Sequence, residues 1–287
     1  MDLIVCHLSN EKLSIGVKQA GAELTSVKSK ESGYEFLWQG NPDIWYGQSP
    51  ILFPIVGRLA DDKYLLNGVE YTIPKHGFAR RSKFEFVAKT DDSLVFRLSD
   101  NEETKKLYPF EFDLIVTFRL IDNALEVNHK VVNKSADTMY FSLGAHPGFN
   151  CEIGDTLRFE QDETLSTQRI NSESLRIPET YPVLENSKDI VITKDIFNED
   201  ALILSGYKSK KITLTNKSSG RTVEFTFGDA PYLGIWAKPG APYVCIEPWF
   251  GVNDSIEKYG EFKNKEGINA LQPGEAFEYA WKAVFNG

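Results

Sequence analysis

The chain has 287 residues, 41% hydrophobic and 25% charged, a composition that suits a globular protein able to bury a large core. A formal net charge of −9 gives no footing for nucleic acid; the densest basic run, Lys208-Ser209-Lys210-Lys211, reads as a solvated turn. No apolar run approaches the ~18–20 residues of a membrane span.

Strand signals dominate in chain order. Leu13 to Val17 alternates, and Ala22 to Val27 reads as a second short strand. Tyr64 to Ile73 is a hairpin turning at Asn67-Gly68, a pair suited to the left-handed angles of a type I′ turn. Strands follow at Phe84 to Ala88, Leu94 to Leu98, Phe112 to Leu120, Ala124 to Asn133 and Thr138 to Leu143. Beyond Cys151 come Leu157 to Glu160, Ala201 to Ser205, Lys211 to Asn216, Thr222 to Phe227, Leu233 to Ala237, Tyr243 to Glu247 and Phe277 to Phe285. Pro178 to Pro182 reads as loop. Helix signals are few: Asn101 to Leu107, and a short turn from Asp254 to Tyr259. Turn signals every ~8–14 residues argue for an antiparallel sandwich or barrel. No linker, composition shift or repeat divides the chain, so residues 1–287 read as one all-β domain.

Several strand ends carry side chains capable of chemistry. Tyr243, Cys245 and Glu247 share one face of their strand, and Pro248 holds Glu247 extended. Because proline cannot donate to a ladder, the strand should stop at Pro248 or lie at an edge. Trp249 and Phe250 are the residue types of a sugar-stacking wall; a solvated glutamate at a strand end is the plainer alternative. His146 is placed in the same way: a strand ends, Pro147 follows, and Gly144 and Gly148 permit close approach. A structural histidine is its alternative. His76 stands among Lys75, Arg80 and Arg81, as donors to a hydroxylated or anionic ligand or as a solvated basic loop. Arg58 closes an apolar run and could fork onto ligand oxygens or pair with Asp61 or Asp62. Asp200 opens a strand, where on the residues alone a turn role is the stronger reading.

Metal binding is not expected. Histidines 7, 76, 129 and 146 are far apart, and there is no Cys-x-x-Cys or His-Glu-x-x-His. No glycine-rich phosphate loop or Gly-x-Ser-x-Gly elbow occurs. The first seven residues lack a signal peptide's basic and apolar regions, and three unpaired cysteines fit a reducing cytoplasm. One imidazole and one carboxylate with aromatic walls suggest a general acid and a general base facing a small polyol.

Phe53-Pro54-Ile55-Val56-Gly57-Arg58, His76-Gly77-Phe78, Ala145-His146-Pro147-Gly148-Phe149, Ile246-Glu247-Pro248-Trp249 and the stretch from Asn264 to Glu275 together resemble the aldose 1-epimerase (galactose mutarotase-like) family, nearest its LacX-type branch. The resemblance spans nearly the whole chain in order. It implies a large antiparallel β-supersandwich and interconversion of the α and β anomers of an aldose, without a cofactor. It makes Glu247 the base, His146 the acid, and His76, Arg58 and Asp200 sugar contacts. The partner expected is a small aldohexose, for which Lys75, Arg80 and Arg81 permit a phosphorylated form, and neither nucleic acid nor a membrane. A monomer or homodimer is expected. A hexose-6-phosphate 1-epimerase and a non-catalytic sugar-binding or sensing protein are the alternatives.

Overall fold

The computed structural model describes residues 4–256 and 260–287. Nearly all its regular structure is antiparallel β-sheet. The largest sheet starts at the edge strand Glu85–Lys89 and passes through Ser93–Ser99, Phe112–Ile121 and Ala124–Asn133 to the last strand of the chain, Ala276–Asn286. It continues through Thr222–Thr226, Lys211–Thr215, Thr156–Ile170, Leu202–Ser205, Tyr232–Trp236, Tyr243–Phe250 and Leu143–Ala145 to Ile51–Leu52. Alternation sorts the side chains: Leu114, Val116 and Phe118 face the core with Leu125, Val127, His129 and Val131 from the paired strand. Separate from the largest sheet are a three-stranded sheet, Val5–Ser9, Leu13–Lys18 and Glu23–Ser29, the hairpin Lys63–Leu66 with Val69–Thr72, and the pair Met139–Phe141 with Asn269–Leu271.

The hairpin turns at Asn67 and Gly68, with φ of 52° and 79°, as a type I′ turn requires. The expected helix is Glu102–Leu107, begun by Asn101, whose side chain accepts from the backbone N–H of Glu103 and Thr104. Two readings are corrected. Pro178 and Pro182 lie inside the long strand Arg176–Val191, not in a loop. Apart from a bridge at its first residue, Arg176, to Ser255, that strand pairs among the described residues with Thr156–Ile170 alone, so at the two prolines it has an open edge where missing donors do no harm. The strand Tyr243–Phe250 also does not stop at Pro248, and it lies between two neighbours. The turn of helix expected over 254–259 ends on residues 257–259, outside the described residues; Ser255 makes a β-bridge to Arg176 instead.

Candidate active site

Pro248 is tolerated because its neighbour is interrupted. On one side, Tyr243–Phe250 pairs with two short strands, Leu143–Ala145 and Gly148–Asn150. The register is unchanged across the gap: Gly144 lies opposite Trp249 and Gly148 opposite Cys245, which puts His146 opposite Glu247. Ile246 N–H donates to the Pro147 carbonyl at 3.2 Å. The nitrogen two residues on, that of Pro248, therefore faces the interruption, where no ladder bond is forfeited. The two X-Pro steps together bring one imidazole against one carboxylate: His146 Nε2 is 3.2 Å from Glu247 Oε2. Both are buried, with exposures of 9% and 1%.

These groups lie at the base of a cavity of about 340 Å³. The sheet face supplies Trp236, Ile203, His146, Glu247 and Trp249; the loops supply Trp45, Tyr46, Lys75, His76, Arg80, Asp200, Lys238 and Asn253. The imidazole of His146 stacks on Trp45, with ring centroids 5.1 Å apart, and meets Trp236 edge-on at 5.6 Å. Trp249 donates its indole N–H to Glu247 Oε2 at 3.2 Å. Behind them, Cys245 Sγ completes a trio in which the donor atoms of His146, Cys245 and Glu247 all lie within 4.8 Å of one another. This is the cluster among the described residues that could hold a metal, a juxtaposition that the scattered histidines did not suggest. The charges of Lys75 and Arg80 on the same cavity oppose a cation there.

Burial dominates the electrostatics. It holds His146 down to about 3, with Arg80 and Lys75 acting in the same direction. It pushes Glu247 well above the usual carboxylate range; the Trp249 N–H opposes this and Asp200 adds to it. The pair therefore keeps one proton between Oε2 and Nε2 from low pH to well above the usual carboxylate range. His76 is pushed well below its ordinary value, first by burial and then by His146, Lys75 and Arg80. Its Nδ1 accepts from the Gly57 N–H at 3.1 Å, so the neutral ring presents Nε2–H as a donor.

Of the residues singled out in the sequence, His76, His146, Asp200, Glu247 and Trp249 line this cavity. Arg58 does not. Its guanidinium forks onto Asp62, at 2.7 and 2.6 Å, and reaches the Glu173 carbonyl at 3.4 Å, at the tip of the hairpin Thr156–Ile170/Arg176–Val191. Asp200 has φ of 71°, and its Oδ1 accepts from the N–H of Ala201 at 2.7 Å. Trp45 and Trp236 were missed. Trp236 shares a strand face with Gly234 by its period of two, a legible signal; Trp45 shows only as an aromatic in a polar loop.

A profile of the family described as Aldose 1-epimerase matches residues 5–270. Protein LacX (plasmid) of Lactococcus lactis subsp. lactis is 33% identical over 284 residues, covering 93% of this chain and 94% of the relative. The structure is similar to that of a galactose mutarotase related enzyme from Lactobacillus acidophilus, with a TM-score of 0.94, 35% identity and coverage of 99% and 98% of the two chains. It is equally similar to a galactose mutarotase-like protein from Lactobacillus casei ATCC 334, with a TM-score of 0.94, 30% identity and coverage of 99% and 100%. On sequence and on fold alike, the chain belongs to the aldose 1-epimerase family.

Proposed function

We propose that this protein interconverts the α and β anomers of an aldohexose, with Glu247 as base and His146 as acid. The observation that carries the reading is the 3.2 Å approach of His146 Nε2 to Glu247 Oε2 at the base of a cavity with aromatic walls. In the working form the pair's one proton is on the imidazole. The Glu247 carboxylate takes the proton of the C1 hydroxyl while His146 gives its proton to the ring oxygen, and the C1–O5 bond breaks to leave an open-chain aldehyde. After rotation about C1–C2, the new O5 hydroxyl attacks the other face of C1. His146 then recovers its proton from O5, and Glu247 returns its proton to O1. The cycle consumes nothing and is its own reverse. His76 Nε2–H and Asp200 hold sugar hydroxyls, and the indoles of Trp45 and Trp236 face the pyranose. Arg58 has no part in the contact.

A second reading of the substrate is a hexose 6-phosphate. Lys75 and Arg80 line the cavity, neither forms an ion pair among the described residues, and Arg80 Nε is buried without a hydrogen-bond partner. An anionic substituent would supply what these cations lack.

NMR exchange between anomers, run with glucose, galactose and their 6-phosphates, tests both readings. Glu247→Gln and His146→Asn are each expected to slow exchange at least ~10²-fold with much smaller changes in sugar affinity. Equal losses of rate and affinity would make the protein a sugar-binding module, and no exchange with any sugar would remove the enzymatic reading.

A further inference from the structure

Trp249 reads from the sequence as a wall for the sugar, yet the sheet holds it in a way that a stacking platform does not need. Two glycines on the strands flanking Tyr243–Phe250 make room for the indole. A Cβ on Gly234 would fall 2.4 Å from Trp249 Cζ2, and one on Gly144 would fall 2.9 Å from its Cδ1. Gly144 is the register partner of Trp249, and Gly234 that of Glu247. Leu52, Val56, Ile203 and Val252 pack around the ring as a separate buried cluster, and Trp249 is itself 4% exposed. The indole is therefore fixed flat across the sheet. In that pose its N–H meets Oε2 of Glu247, the same oxygen that faces His146.

We propose that Trp249 is a positioning residue that keeps Glu247 usable as a base, and that Gly144 and Gly234 exist to seat it. The inference rests on the reading of Glu247 as the base of an epimerase. The physical case is that a buried carboxylate reverts to the neutral acid unless something stabilises its charge. An indole N–H does this with an advantage over a cation or a hydroxyl. It can only donate, and it does not titrate, so it favours the carboxylate without competing for the proton that must move. The other groups acting on Glu247 are His146, Asp200 and Lys75 across the cavity, and Cys245 and Tyr243 on its own strand. Of these, His146 comes within 3.2 Å of the carboxylate but is itself the partner that exchanges the proton, so among the described residues Trp249 is the donor there that does not titrate.

The test compares wild type with Trp249→Phe and with Trp249 replaced by benzothienylalanine, which keeps the bicyclic shape and lacks only the N–H. Without the donor, the alkaline limb of kcat/KM is expected to move up by roughly 1–2 pH units, the size of a hydrogen bond to a charged group. The plateau kcat should fall ~10–100-fold and KM should change less than about threefold. A wall for the sugar would do the reverse, raising KM and leaving the limb in place, and that result overturns the proposal. A second measurement does not depend on activity. Once the unfolded imidazole has lost its proton, a proton still held by the folded pair makes stability fall with rising pH until the pair gives it up. Removing the indole N–H should carry that end point upward by the same 1–2 units, and in a Glu247→Gln background the difference should vanish. An end point that does not move refutes the role of Trp249 even if exchange is catalysed. An end point that moves in a protein without exchange activity upholds the contact and refutes the epimerase reading.

Discussion

The chemistry turns on one oxygen, Glu247 Oε2, which meets an imidazole nitrogen and an indole N–H at 3.2 Å each. Burial acts on the two titrating partners in opposite senses: it lifts the carboxyl and depresses the imidazole, so both neutral forms are favoured. The sign for catalysis follows. Acidification inactivates only by adding a second proton to the pair, and the depressed imidazole, at about 3, resists it. Alkali inactivates by removing the one proton present, which the raised Glu247 retains to well above the usual carboxylate range. The expected kcat/KM profile is therefore flat through pH 6.5, with its acid limb well below that of an ordinary histidine. Measuring anomer exchange from pH 4 to 9, with the spontaneous rate subtracted, checks it. An acid limb centred near 6.5 would mean that His146 titrates as a solvated imidazole, which the stacking on Trp45 and the 9% exposure contradict. At the same scale, Arg58 takes the second of the two roles open to an arginine that closes an apolar run. The fork that could meet ligand oxygens is taken by Asp62, four residues on.

At the scale of elements, the legible part of the site was what neighbouring residues determine. His146 and Glu247 each follow a run of strand-forming residues and precede a proline, and that local signature was enough to single them out. What was not legible depends on register between segments far apart. Nothing near Pro248 announces that the neighbouring strand is interrupted opposite it, so the strand was expected to end there, and it runs on to Phe250. The seating of Trp249 on Gly144 and Gly234 is likewise a cross-strand fact. The loops behave in the same way at Gly57, whose carbonyl accepts from His76 N–H at 2.7 Å and whose own N–H donates to His76 Nδ1 at 3.1 Å. Gly57 has φ of 72°, and a Cβ there would stand 2.1 Å from Asn253 Oδ1 and 2.8 Å from Asn253 Cα. Asn253 in turn donates to the Ser174 carbonyl at 2.7 Å, on the hairpin tip. Gly57→Ala thus combines left-handed strain with a clash that a rotamer change relieves only in part, and it should destabilise the fold by about 2–4 kcal/mol. Urea titration gives the value. A loss under 0.5 kcal/mol would mean that the Asn253 and His76 segments are free to yield.

For the molecule as a whole, the buried histidines set how it should respond to acid. His129 faces the core from Ala124–Asn133, 1% exposed and stacked near Tyr279, and burial lowers it to about 4. His76 lies well below its ordinary value for the same reason. Between about pH 4.5 and 6.5 the unfolded chain carries a proton on each of these two rings, and the folded chain does not. The His146–Glu247 pair drops out of this window: folded, it shares one proton, and unfolded, the imidazole carries one while the carboxylate carries none. More protons bound in the unfolded state means stability that rises with pH, so the protein should lose stability as pH falls through the window. Two protons give a slope of about 2.7 kcal/mol per pH unit. The carboxylates of Asp92 and Asp189, lowered by their bonds to Thr90 and Arg119 and to Arg158 respectively, respond only below it. His129→Leu removes one of the two rings without touching the cavity, so it should halve the slope while leaving anomer exchange at neutral pH intact. Denaturant titrations at half-unit steps from pH 4.5 to 6.5 measure both proteins. Parallel lines would show that His129 keeps its proton in the folded core, with its hydrogen bond to the Tyr279 backbone outweighing the burial that lowers it.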